Sequence, residues 1–186
     1  RSQSSRSGNR GECSQPCRLT YDLVTERGET LIKGKHLLSV KDFDLSERIG
    51  DLIDAGIMSF KIEGRLKDDN YIKNVVSHYR RAIDKALATR PDCRRASVGR
   101  SQIEFTPDPK KRFSRDGGEY MFMGKRAGVA SLLTPKAVGE YIGCVATVTK
   151  RDFRLVGRHT LNAGDGLCFI TNEGILGTNI NRVEGN

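Results

Sequence analysis

The chain has no tryptophan, 5 prolines, 3 histidines and 6% aromatic residues in 186 positions. Each shortage closes off a class of function. His36, His78 and His159 stand isolated, with no His-Glu-x-x-His helix and no Gly-x-Ser-x-Gly elbow, so neither a zinc-protease nor a serine-hydrolase centre is complete here. Walker and dinucleotide glycine loops are also missing, and Gly117-Gly118 reads only as a flexible joint. No apolar run approaches the ~18 residues of a membrane span, and no charged-then-apolar leader occurs, so neither a transmembrane helix nor a signal peptide is expected. The first residue is Arg1 and not Met, which points to a fragment or a processed chain. Five cysteines, an odd number at uneven spacing, make no disulfide framework and point to a reducing cytoplasm. Aromatic platforms for stacked bases are few: Tyr120, Phe122, Tyr141, Phe153 and Phe169 are the candidates, and most are expected in the core.

Basic residues are abundant, with 32 Lys and Arg against 23 Asp and Glu, a formal charge of +9 that favours polyanions such as RNA. The alternative is a role in solubility alone. Near the start, Cys13 and Cys17 lie four residues apart between Arg10 and Arg18 in a polar, Gly- and Ser-containing stretch. Thiolates are soft donors for zinc or an iron-sulfur cluster, and flanking guanidinium groups lower a thiol pKa and offset cluster charge. Such sites need about four ligands. Cys93, Cys144 and Cys168 are far away in sequence, so either partners are missing or these are two unrelated free thiols. A radical-SAM site would want a third cysteine where Thr20 stands.

Hydrophobic spacing divides the chain into three. Leu19 to Val24 and Thr30 to Lys33 flank Arg27-Gly28-Glu29 and read as a hairpin. His36 to Val40 reads as a brief strand. A helix follows, capped by Asp42 or Asp44, carrying Leu45, Ile49, Leu52 and Ile53 and stopped at Gly56. Ile57 to Glu63 reads as a short buried strand, and a longer helix from about Asp69 places Ile72, Val75, Val76, Tyr79, Ile83 and Leu87 on one stripe. Strand, helix, strand, helix is the β/α unit of a parallel sheet or barrel. From Thr89 to Gly118 the periodicity stops and Arg90, Arg94, Arg95, Arg100, Lys110, Lys111, Arg112 and Arg115 gather: an RNA-facing arm, or a solvated tether. The last third has short apolar runs split by glycines and reads as a small antiparallel β-barrel or sandwich. The expected fold is therefore α/β plus β, with residues 1–88 a partial (β/α) barrel, 89–118 a basic linker and 119–186 a small β-barrel domain.

The run Asn9-Arg10-Gly11-Glu12-Cys13-Ser14-Gln15-Pro16-Cys17-Arg18 is joined by Leu38-Ser39 with Lys41-Asp42, and by Asp54-Ala55-Gly56. Ser59-Phe60-Lys61-Ile62-Glu63-Gly64-Arg65 and Tyr79-Arg80-Arg81-Ala82 complete the set. Together they resemble the collagenase-like peptidase family U32, most densely between Ser7 and Leu87. The resemblance implies a (β/α) barrel of which this chain covers the last strands and helices. It also implies a four-iron four-sulfur cluster held by four cysteines, two of them Cys13 and Cys17, with the nearer of the others roughly a dozen residues upstream. A cluster is then expected in the full-length protein and not in this stretch alone.

Three activities follow as expectations. The family includes proteins that hydroxylate bases of ribosomal or transfer RNA by a route dependent on prephenate and iron-sulfur proteins. On that reading Cys13 and Cys17 hold the cluster, Arg10 and Arg18 support it, and Lys61, Glu63 and Arg65 line the substrate mouth at a strand end. For Glu63 and Arg65 the alternative is a salt bridge closing the β/α unit. The family's historical label implies instead a protease acting on collagen-like peptides, which needs an activated nucleophile or a metal-bound water. A third reading is a non-catalytic module that binds RNA or a protein partner through the basic linker and terminal barrel.

Overall fold

The computed structural model describes residues 5, 6, 8–64, 67–124, 128–157, 159–171 and 174–184. The first hairpin forms where alternation placed it, as β1 (Tyr21–Val24) antiparallel to β2 (Thr30–Lys35). Its reversal is closed by the Thr25 N–H donating to Glu29 O at 2.8 Å and the Gly28 N–H to Thr25 O at 3.0 Å. Gly28 adopts φ +84°, a conformation that only glycine takes without a Cβ penalty.

Residues 36–44 do not form the brief strand expected from their apolar character; they make a turn and then a ribbon gripped on two sides. On one side the Lys41 N–H donates to Val129 O at 2.9 Å, the Ser131 N–H to Ser39 O at 2.7 Å, and Val40 bridges Ala130. On the other, β3 (Asp42–Phe43) pairs in parallel with β4 (Gly117–Gly118). Gly117-Gly118 is thus a ladder partner and no loose joint. Side chains reinforce the ladder: Lys41 Nζ reaches Asp116 at 2.7 Å, Arg115 Nη2 reaches Asp42 at 3.0 Å, and Arg48 Nε reaches Glu119 at 2.8 Å. The Arg48–Glu119 pair and the backbone bonds to Val129 and Ser131 cross the boundary drawn at 118/119 from sequence, and the other two pairs cross that at 88/89.

A single helical turn (Ser46–Arg48) leads into α1 (Ile49–Asp54), and Asp44 accepts the Ser46 N–H at 2.9 Å. Gly56, with φ +87°, donates to Ile53 O at 2.9 Å and ends the helix as its position implied. The longer helix α2 (Asp69–Leu87) is capped by the Asp68 carboxylate, which accepts the Tyr71 N–H at 2.6 Å. Its stripe is only partly covered. Val75 is buried at 7%, whereas Ile72 and Val76 remain 44% and 46% exposed.

The segment 57–63, expected as a buried strand, makes no ladder, and Met58 is 95% exposed. The physical reason is pairing: a central strand needs backbone partners on its edges, and the described residues supply none. The tail forms two hairpins, β5 (Val145–Val148) with β6 (Phe153–Leu155) and β7 (Gly166–Thr171) with β8 (Gly174–Asn179). Phe153 meets Phe169 edge-on at 5.1 Å, which joins the hairpins. Among the described residues these sheets are two-stranded and no barrel closes.

The 89–118 stretch does not run free. Arg90 pairs with Asp54, Arg95 with Asp84, Lys111 with Glu140 and Arg115 with Asp42, while Arg81 donates to Phe105 O and Asn74 to Asp108 O at 2.8 Å each. A solvated tether is therefore the poorer description of its second half. The apolar core is thin, with Ile49 (2% exposed) and Val75 as its buried aliphatic members. A closed monomer of 20.7 kDa would expose about 8,900 Å² by surface scaling, and this chain exposes 15105 Å². Much of its apolar surface is unpartnered.

Because Ile49 is the best-packed aliphatic side chain, Ile49→Ala is expected to lower unfolding free energy by about 2–4 kcal/mol, measured by urea denaturation followed by circular dichroism. Acid is expected to act through the carboxylates of the ribbon. The Lys41 hydrogen bond holds Asp116 below its usual range; burial would raise Asp44, but hydrogen bonds from Ser46 and the Tyr79 hydroxyl outweigh it. Both contributions are complete above the unfolded carboxylate pKa of about 3.9 and disappear as pH falls through the lower folded values. An acid titration in which Lys41→Met unfolds at the same pH as the wild type would contradict this.

Candidate functional site

The cysteine turn is built on a non-glycine residue in the left-handed region. Gln15, at φ 55° and ψ 51°, stands between the thiols and precedes a turn of 3-10 helix (Pro16–Arg18). Such a conformation costs about 1 kcal/mol and persists only when surroundings impose it. Here the Gln15 carbonyl accepts the Arg18 N–H at 2.9 Å, Pro16 O accepts the Tyr21 hydroxyl at 2.7 Å, and the Gln15 N–H points at Cys13 Sγ at 3.3 Å. An N–H donor on sulfur is the kind of support that ligating sulfurs receive. Arg6, which sequence reasoning passed over, donates to the carbonyls of Glu12 and Cys13 at 3.2 and 3.3 Å. Cys13 and Cys17 are both exposed, as are Arg10 and Arg18. As soft donors on a rigid turn the pair fits two ligand positions of a cluster, but among the described residues no group of three or more His, Cys, Asp or Glu completes a metal site.

Next to this turn lies a cavity of about 300 Å³ lined by Gln15, Arg18, Lys67, Asp68, Tyr71, Arg112 and Phe113. It brings together the cysteine turn, the start of α2 and the basic stretch, three segments that sequence reasoning treated separately. Lys67 Nζ sits 3.0 Å from the Phe113 ring centroid and 5.3 Å from that of Tyr71, a cation between aromatic faces. Burial lowers the pKa of Lys67, Asp42 opposes that effect, and Arg115 and Arg18 add to it. Like charges are being held together. Among the described residues no carboxylate lies within ion-pair distance of Arg18, Lys67 or Arg112, whereas Arg115 is neutralised by Asp42. Lys67 before the helix and Arg112-Phe113 within the basic run were visible in sequence, yet nothing in spacing joined them.

Neither Lys61 nor Glu63 lines this cavity. Lys61 and Glu63 are exposed and pair with each other at 3.6 Å, while Arg65 lies outside the described residues. None of the histidines is hydrogen-bonded to a thiol among the described residues. His36 Nδ1 faces Leu19 O at 3.3 Å, His159 Nε2 faces Val156 O at 2.9 Å, and the ring of His78 contacts Tyr79 edge-on.

The family model for peptidase family U32 matches residues 1–131, ending where the chain leaves the ribbon made by 129–132, and the chain belongs to that family. Among curated proteins it is 41% identical over 182 residues to the 23S rRNA 5-hydroxycytidine synthase of Escherichia coli, covering 98% of this chain and 28% of that enzyme. A tRNA hydroxylation protein of Bacillus subtilis is 42% identical over 89 residues, 45% of this chain and 21% of that protein. A collagenase of Porphyromonas gingivalis is 31% identical over 122 residues, 66% of this chain and 32% of that protein. The chain therefore spans about a third or less of the length of these relatives. No solved structure matches it. Among the described residues no helix is long and apolar enough to cross a membrane.

Thiol accessibility tests the placement of the cysteines. Cys13, Cys17, Cys93 and Cys144 are exposed, whereas Cys168 is half-buried and donates to Val138 O at 3.0 Å. With Ellman's reagent under native conditions, four thiols are expected to react quickly and Cys168 slowly. Rapid loss of the Cys168 thiol would contradict the packing of β7.

Proposed function

We propose that the full-length protein hydroxylates a base in ribosomal or transfer RNA, and that this chain supplies half of an iron-sulfur ligand set together with part of the RNA-binding surface. The observation that carries the reading is the 41% identity, over 98% of the chain, to an enzyme that makes 5-hydroxycytidine in 23S rRNA. The cysteine turn supports it independently, because Cys13 and Cys17 are exposed and the strained Gln15 is spent on orienting an N–H at sulfur. Cys13 and Cys17 hold two positions of the cluster, the other two ligands coming from the rest of the full-length protein. A bound cluster would supply one-electron redox chemistry. The chain's own contribution is positional: Gln15 donates to the Cys13 sulfur, Arg10 and Arg18 offset thiolate charge, and Lys61, Glu63 and Arg65 are assigned to substrate contact, the first two being exposed and paired with each other.

The fold reading belongs to the same proposal. Residues 57–63 are taken as a barrel strand whose neighbours lie in the rest of the protein, and residues 119–186 as a small terminal β domain. The bare strand, the open stripe of α2 and the excess surface all agree with a chain that packs against more polypeptide. The protease reading has no geometric support here, since no histidine is positioned to activate a thiol among the described residues.

Anaerobic reconstitution of the full-length protein with iron and sulfide is expected to give a brown species with cluster absorption. Cys13→Ala and Cys17→Ala are each expected to lose most of that absorption and to abolish the hydroxylated nucleoside in RNA from cells carrying only the variant, read by mass spectrometry. Undiminished hydroxylation by the double variant would overturn the assignment.

A further inference from the structure

Of the residues lining the cavity between the cysteine turn, the start of α2 and the 112–113 loop, the function above uses only Arg18 and Gln15. We infer that the cavity binds a phosphate group, and that in the full-length protein the group is a backbone phosphate of the RNA; only this last step rests on the RNA reading.

The lining makes the case. Arg18, Lys67 and Arg112 come from three separate segments and converge on one space of about 300 Å³. Asp68 is the acidic member, which leaves a net charge of two positives. Its carboxylate opposes an anion but is already held by the Tyr71 N–H at 2.6 Å as the cap of α2. The nearby Arg115 is closed off differently, with its guanidinium and its N–H both on Asp42. The fold thus neutralises one arginine and leaves three cations without carboxylate partners among the described residues. Asp42 and Asp68 offset part of the charge at Lys67, which is half-buried between two rings, while Arg18 and Arg112 are exposed and free to turn to a ligand. The net positive lining therefore favours a multivalent anion that joins the three. A phosphate suits this lining better than a lone carboxylate. Its tetrahedral oxygens can accept from two guanidinium forks and an ammonium at once. The volume is at the lower end for small-ligand sites, enough for a phosphate with its attached sugar and too small for a folded helix. Gln15 lines the same space and directs its backbone N–H at Cys13. The phosphate would therefore lie against the residue that stands midway between the two cysteines in sequence, a point from which a neighbouring base can be presented.

The test uses the full-length protein and fluorescence anisotropy with a short single-stranded oligoribonucleotide across a salt series. Arg112→Gln and Lys67→Gln are each expected to bind about tenfold more weakly and to reduce the salt slope by about one. Lys33→Gln, an equal change of charge on β2 and outside the cavity lining, is expected to leave both unchanged. A parallel arm measures adenosine monophosphate by calorimetry. If RNA binds and is hydroxylated while the cavity variants behave like Lys33→Gln, the phosphate site is overturned and the RNA function stands. If the monophosphate binds in a manner lost in Arg112→Gln but RNA does not bind at all, the phosphate chemistry holds and the RNA source is overturned. Correct folding of the variants is read from unchanged circular dichroism. Should Lys67→Gln fail to fold, Lys67→Arg, which keeps the charge, is expected to bind nearly as well as wild type; tenfold weaker binding by a folded Lys67→Arg would count against a simple phosphate clamp.

Discussion

Everything described depends on how the chain holds residues 39–44. Among the described residues Ile49 and Val75 are the buried aliphatic side chains, so the ribbon is fixed mainly by backbone and charge, with Phe43 stacked on Tyr120. Lys41 is used at three atoms: its N–H donates to Val129, its carbonyl accepts the Tyr120 hydroxyl, and its ammonium pairs with Asp116. Asp42 then takes Arg115 and Asp44 takes Tyr79, whose phenol is pushed up by burial and by that carboxylate. Exposed ion pairs contribute little singly, but here each closes a ring already started by a backbone hydrogen bond, so little extra entropy is lost in forming it. Through Tyr79 the ribbon sets the position of α2, and through Arg115 it sets the loop that carries Arg112 and Phe113. The cavity is therefore a downstream consequence of the ribbon.

Strain is placed at the same two locations. Gln15, Asp116 and Tyr120 are the described non-glycine residues with positive φ, at 55°, 69° and 50°. Asp116 and Tyr120 are both held by Lys41, and Gln15 by the hydrogen bonds of the cysteine turn. Left-handed backbone at a side-chain-bearing residue survives only where its neighbours over-determine it. The sequence carries no glycine at these points. The side chains themselves are needed: a carboxylate for Lys41, a phenol for its carbonyl, and an amide on the cavity wall.

Local features were legible in the residues and long-range ones were not. The first hairpin, the stop at Gly56 and the run of α2 follow from turn chemistry and periodicity acting over a few positions. Residues 36–40 misled because a short apolar run signals burial against something that is not in the run, and for the same reason 57–63 finds no ladder partner among the described residues. Gly117-Gly118 reads as loose by composition, but parallel pairing to Asp42–Phe43 uses only backbone groups, which composition does not report. The candidate site shows the same division. Cys13, Cys17, Arg10 and Arg18 were visible as a contiguous pattern. Lys67, Tyr71, Arg112 and Phe113 were not, because their meeting depends on Arg115 closing onto Asp42, 73 positions away.

The cysteine turn and the cationic cavity share one wall, and this determines what each can do to the other. Arg18 follows Cys17 directly and also lines the cavity, so its charge serves a thiolate or an anion depending on which is nearer. An anion in the cavity would draw Arg18 and the Lys67 ammonium toward itself and raise the Lys67 pKa from its lowered state. Arg18 is thus shared between the cysteine turn and the cavity, and Gln15, which stands between the two cysteines in sequence, lines the same space. Whatever occupies the cavity therefore meets the backbone that carries both sulfurs.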